Sequence, residues 1–204
     1  MRLPRPIMAL SLSMLLLIGC SRSEPPPGAA PSGPACVREL AALGVTVTPW
    51  QGGTAACPIA TPVRTARGRT AAFVPPLQTS CAMLLAWTSF EPELQAIARS
   101  TMGSPVVAIR HYGSYACRAM TGNAGRRSLH AQARALDIAA FEFADGRVVT
   151  VLRGWAGPPD QRRFLRAVAG AACRSFSVVL TPNSDRFHRD HIHVDIGPWR
   201  RCGA

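Results

Sequence analysis

The chain has 204 residues, 48% hydrophobic, 6% aromatic and 17% charged, and its 23 basic against 11 acidic residues give a formal charge of +12. That length suits one domain with a tail, and the apolar share excludes wholesale disorder. Every basic residue is Arg, which excludes a lysine nucleophile or Schiff base, and no run of about 20 apolar residues, as a spanning helix requires, lies beyond the N-terminus.

The N-terminus reads as an address. Arg2 and Arg5 precede an apolar run over residues 8–18, long enough for the core of a signal peptide and too short to span a bilayer. Leu17-Ile18-Gly19-Cys20 resembles the bacterial lipobox. Residues 1–19 are therefore expected to be a lipoprotein signal peptide, with Cys20 lipidated as the first mature residue. Ser21 resembles lipoproteins sorted to the outer membrane, facing the periplasm. Residues 20–34 are rich in Pro, Gly and Ser and read as a tether, leaving residues 35–204 as the folded domain.

Within that domain, residues 36–43 have helical spacing and stop at Gly44, and residues 45–48 alternate as a short strand stopped by Pro49. Residues 52–76 are turn-rich, with a short strand near 61–64. A buried helix is expected over 80–90, and a second from Glu91, with Pro92 in its first turn, to near Gly103. Strands follow at 106–111 and 134–143, then an Asp145-Gly146 turn into a strand at 147–152. An amphipathic helix at 160–172 precedes strands at 177–180 and 191–196. The order predicts an α+β domain with helices packed on a central antiparallel sheet. Beyond Cys20 an even set of cysteines remains, Cys36, Cys57, Cys81, Cys117, Cys173 and Cys202, which in an exported chain reads as three disulfides. Sequence leaves their connectivity open; the expected pairing is 36–57 as a local staple, 117–173 across the core and 81–202 at the C-terminus.

Chemistry concentrates in two stretches. Three of the five histidines fall in Phe187-His188-Arg189-Asp190-His191-Ile192-His193-Val194-Asp195, and His130 lies in Ser128-Leu129-His130. On a strand His191, His193 and Asp195 share one face, an expensive arrangement unless something pairs with them. Asp137 stands alone in Ala135-Leu136-Asp137-Ile138-Ala139, where a buried carboxylate needs a cation. Two His and one carboxylate with an open position make a catalytic zinc site, which lowers the pKa of bound water to about 7. Neither GxSxG nor HExxH occurs.

His130, six residues, Asp137 and a later His191-x-His193 resemble the LAS zinc peptidases, which include D-alanyl-D-alanine carboxypeptidases, murein endopeptidases and the hedgehog domain. The resemblance implies a LAS/hedgehog-like fold in which His130, Asp137 and His193 bind Zn2+. It makes His191 a stabiliser of the tetrahedral intermediate or a proton carrier. Asp190 is the expected general base, with His188 as the alternative, and Asp195 would orient a ligand His. Arg118, in Gly113-Ser114-Tyr115-Ala116-Cys117-Arg118, resembles the Arg of the family's Ser-x-Tyr-Arg segment, with two residues between Tyr and Arg, and would hold a substrate carboxylate or the oxyanion. Where the family often has Gly before Ala-x-Asp, this chain has Arg134.

The domain resembles the bacterial extensin-like C-terminal domain family more closely still. That match runs through Tyr115-Ala116-Cys117-Arg118, Ala135-Leu136-Asp137-Ile138, Ala172-Cys173-Arg174 and His188-Arg189-Asp190-His191, and spans roughly Cys36 to Cys202. The expected function is a lipid-anchored zinc hydrolase of peptidoglycan peptide bonds. Its partners are peptidoglycan peptides and, through Cys20, the membrane. The alternative is a non-catalytic wall-binding or structural envelope lipoprotein that keeps the metal cage. The Arg residues are scattered without a nucleic-acid motif, so nucleic acid is not an expected partner.

Overall fold

The computed structural model describes Met1 and residues 32–204; the expected signal peptide, Cys20 and nearly all of the tether lie outside the described residues. The folded part opens with helix α1 (Gly33–Ala42), so the last two residues assigned to the tether are already helical. Leu40 is fully buried, and its carbonyl receives the Val45 N–H, which closes the helix end. Only β1 (Thr48–Pro49) then pairs as strand, a later and shorter element than residues 45–48.

Strands β2 (Pro62–Arg67) and β3 (Ala72–Ser80) form where the sequence reads mainly as turns. Pro75 and Pro76 sit in neither ladder: β3 pairs with β4 from Ala72 to Val74, and with β2 at Ala72 and again from Leu77, so no strand bond is lost to either proline. Next comes α2 (Cys81–Met102), one continuous helix and not two. Pro92 lies in its interior. The buried positions Leu84, Trp87, Phe90, Leu94 and Ala98 run straight past it, and their burial outweighs the local penalty. Gly103 closes the helix at φ 71°, a left-handed position that favours glycine.

The rest of the chain follows as β4 (Val106–Gly113), the hairpin β5 (Ala119–Met120) and β6 (Asn123–Arg127), and β7 (Ala135–Phe143). Then come β8 (Val148–Thr150), α3 (Val151–Gly154), α4 (Pro159–Ser175), β9 (Val178–Leu180), β10 (Ile192–Asp195) and β11 (Arg201–Cys202). Among the described residues nine strands form one sheet, ordered β1-β2-β3-β4-β7-β10-β9-β11, with β8 also on β7. It is mixed and not antiparallel throughout: β3–β4 and β9–β11 run parallel. The α+β class is as expected. β7 is the spine. One edge carries β4; the other carries β10 on its first half and β8 on its second.

A single apolar core joins Leu84, Phe90 and Leu94 of α2 and Phe164, Leu165 and Val168 of α4 to Leu136, Ile138 and Phe141 of β7 and Ile192 and Val194 of β10. Alternation then turns Asp137, Ala139, His193 and Asp195 to the other face. Helices cover one side of the sheet, and the polar side chains stand on the opposite side. Three disulfides staple the fold, but in a different pattern from that expected: Cys36–Cys81, Cys57–Cys117 and Cys173–Cys202. The cause is helix packing. Docking of α1 on α2 brings Cys36 to the first residue of α2, and β11 lies under the end of α4 that carries Cys173.

Candidate metal centre

Each member of the site is delivered by its own local device. His130 sits in a 3-10 turn (Leu129–Gln132) whose N-cap, Ser128, accepts the His130 N–H at 3.3 Å. Ala133, at φ 51°, ends the turn and aims the chain into β7. Its carbonyl accepts the hydroxyls of Thr79 and Ser80 and the Ser80 N–H, which pins the turn to β3. Asp137 and His193 are register partners across the β7–β10 ladder. Arg134 donates to the Ile196 carbonyl at 2.6 Å and so ties the entry of β7 to the exit of β10.

Three donor atoms converge. His130 Nε2 is 3.2 Å from His193 Nδ1 and 3.2 Å from Asp137 Oδ1, and His193 Nδ1 is 2.9 Å from Asp137 Oδ1. The far side of each ring is tied to an acceptor. His130 Nδ1 lies 3.1 Å from the Ser114 carbonyl, which has no proton to give, so this nitrogen donates and Nε2 is the ring nitrogen turned toward the cluster. His193 Nε2 lies 3.3 Å from Asp195 Oδ2, and the other Asp195 oxygen accepts the Gly197 N–H at 2.9 Å. Both rings are thus oriented with a nitrogen facing inward, as metal-binding imidazoles are. Among the described residues, His130, Asp137 and His193 form the group whose donor atoms lie close enough to share one cation.

The electrostatics favour positive charge. Burial would raise Asp137, but hydrogen bonds from His130 and His193 outweigh it and hold the carboxyl well below the usual carboxylate range. Burial works against a charged His193, yet hydrogen bonds to Asp137 and Asp195 overcome it and push the imidazole up to about 9.

A second ring of side chains surrounds the cluster. His191 Nε2 is 3.6 Å from Asp137 Oδ1, and its Nδ1 is 2.8 Å from Asp190 Oδ1. His188 has its ring centre 5.1 Å from that of His191 and 5.8 Å from that of His193, with Nδ1 at 2.7 Å from Asp185 Oδ1. Burial lowers His188 by more than Asp185 raises it. The fold therefore gathers His130, Asp137, His188, Asp190, His191, His193 and Asp195. Arg118 is not gathered: it is exposed and donates to Ala119 O and Thr121 Oγ1 within its own hairpin.

Three contributors escaped the sequence reading. Asp185 holds His188, and its Asx turn (Phe187 N–H to Oδ1, 2.9 Å) was a usable signal. Tyr112 stands edge-on to His191 at 5.7 Å, its hydroxyl 3.4 Å from Asp190; its alternation with Arg110 on β4 placed it on the open face. The Ser114 carbonyl had no side-chain signal. With this geometry in place, comparison assigns the family: the chain belongs to the extensin-like protein C-terminus family, whose model matches residues 34–203. No curated protein and no solved structure matches it.

Proposed function

We propose that this protein is a zinc-dependent hydrolase of peptidoglycan peptide bonds, anchored through lipid on Cys20 at the outer membrane and facing the periplasm. One observation carries the reading: His130, Asp137 and His193 converge with both far ring nitrogens already tied to acceptors. The donor set is that of catalytic zinc sites, and ligand atoms around a tetrahedral zinc stand about 3.3 Å apart, close to the spacing here. The resemblance of the His130-x6-Asp137 and His191-x-His193 pattern to LAS peptidases points the same way.

Bound zinc would supply Lewis acidity and an acidified water. The rest falls to the chain. His191, held by Asp190, faces the carboxylate side of the cluster and is positioned to hydrogen-bond an oxygen that gains charge as an amide is attacked. Two groups beside the cluster are the candidates to take the proton from water: Asp190, bonded to His191, and His188, whose Nδ1 is engaged by Asp185 and whose Nε2 is the remaining ring nitrogen. Asp195 fixes the tautomer of His193.

The position of Arg118 favours a second reading, a wall-binding module that keeps the metal without cleaving, because no arginine held for a substrate carboxylate comes from that segment. Elemental analysis of the purified mature protein separates the readings first, and digestion of muropeptides second. Stoichiometric zinc that chelator removes, with peptide release, is the expected result, and His193→Ala abolishes both. Normal zinc in that variant overturns the ligand set. Zinc with sacculus binding and no release moves the assignment to the second reading.

A further inference from the structure

Beside the cluster a groove of 480 Å³ runs along the open face of the sheet. Ala139 of β7 lies at its floor, two residues along the strand from Asp137 and on the same face. Tyr112 of β4 and the pair Leu152 and Arg153 of α3 flank it, because β4 and β8 lie on opposite edges of β7. Tyr112 and Leu152 are 63% and 59% exposed, a large apolar surface to leave in water on a chain this charged. The groove reaches the side chains that surround the cluster. Asp190 lines its near end, and one imidazole, His191, separates Asp190 from Asp137.

The charges along it are ordered. Asp190 stands at the cluster end. Arg153 stands at the far end, next to β8, whose partners are Ala140 to Glu142 and lie beyond Ala139. Arg110, also in the lining, is paired with Glu142. Arg153 has neither an ion-pair nor a side-chain hydrogen-bond partner among the described residues. A groove of this volume, with apolar sides, a guanidinium unpaired among the described residues and an acid at the other end, suits a short peptide bearing a carboxylate.

We propose that this groove seats the peptide of the substrate, with Arg153 as the specificity-determining residue that receives a stem-peptide carboxylate and directs it away from the metal cluster. The inference rests on the peptidase reading for the identity of the ligand. Arg153 touches no member of the cluster and serves only to select the substrate.

The test uses full mature protein and two probes, a soluble disaccharide stem peptide with free carboxylates and the same peptide with them amidated. Arg153→Gln raises KM for the free-carboxylate peptide about tenfold, with kcat and zinc content unchanged, and leaves the amidated peptide unaffected. Arg153→Lys restores part of the loss. Calorimetry on both proteins gives affinities whether or not cleavage occurs. A preference for the free-carboxylate peptide that disappears in Arg153→Gln supports the groove even if neither peptide is cleaved, in which case the peptidase reading falls alone. Equal behaviour of the two peptides with wild type and variant overturns the groove, while cleavage of both by wild type leaves the peptidase reading standing.

Discussion

Two carboxylates inside this domain, Glu91 buried and Asp137 mostly so, are enclosed in opposite ways. Glu91, fully inaccessible in the middle of α2, accepts the backbone N–H groups of Arg69 (2.6 Å), Thr70 (2.9 Å) and Ala71 (2.7 Å) and the Thr70 hydroxyl (2.8 Å). Gly68 completes the enclosure, since a Cβ there would lie 2.4 Å from Glu91 Oε2. Asp137 has two imidazoles instead. Main-chain donors are fixed and cannot be exchanged, so Glu91 closes the β2–β3 turn onto the helix and offers nothing further. Imidazoles can surrender a proton and present a lone pair, so the surroundings of Asp137 are satisfied in a form that a cation can replace. Burial of an acid is therefore silent about function until its partners are known.

The comparison breaks most visibly at Glu91. Replacing Glu91 with Ala strands buried donors and costs about 3–5 kcal/mol, read as a lowered denaturation midpoint, while zinc per folded chain stays at the wild-type value. Asp137→Asn behaves the other way round: the metal-free protein loses less stability than Glu91→Ala does, and zinc binding fails. Equal stability losses would erase the distinction. A smaller effect is expected one step out. Asp195→Asn weakens zinc binding about 10- to 100-fold by releasing the His193 ring, measured by competition with a chromophoric chelator.

Asp145 gives the smallest effect and serves as the solvent-exposed reference. The Arg147 side chain hydrogen-bonds it and, with the Arg147 N–H, holds its carboxyl down at about 2. A depressed carboxylate stabilises the fold above the ordinary range near ~4 and loses that contribution as pH falls through about 2. Carboxyl NMR titration of Asp145 should find its midpoint near 2, and Arg147→Gln should return it toward the ordinary value.

The same two acids show what the sequence could disclose. Asp137 was legible because a lone acid between Leu136 and Ile138 on a period-two strand has no ordinary place to go. His191-x-His193-x-Asp195 was legible by the same alternation. Glu91 was not, because Pro92 beside it imitates a helix start and its partners lie some twenty residues away in a turn. β3 was hidden by Pro75 and Pro76, which fall in the one stretch of the strand that pairs with nothing. Disulfide pairing was hidden more deeply, since the docking of α1 on α2 decides it. Arg118 drew attention by its residue types, a Tyr followed by an Arg at a spacing that departs from the family's, and its side chain bonds Ala119 O and Thr121 Oγ1 within its own hairpin, a contact no motif discloses.

The ladder that sets Asp137 across from His193 has a consequence for how the chain matures. A slip of one residue between those two strands would exchange inside for outside along the whole pair, driving the acid and the imidazole into the oily interior and Leu136 and Val194 out into water. No partly correct alignment leaves half a cage behind. Under the proposed zinc reading, ion uptake would act as a proofreader of strand alignment: a chain that captured its ion would, by that fact, have paired its central strands correctly.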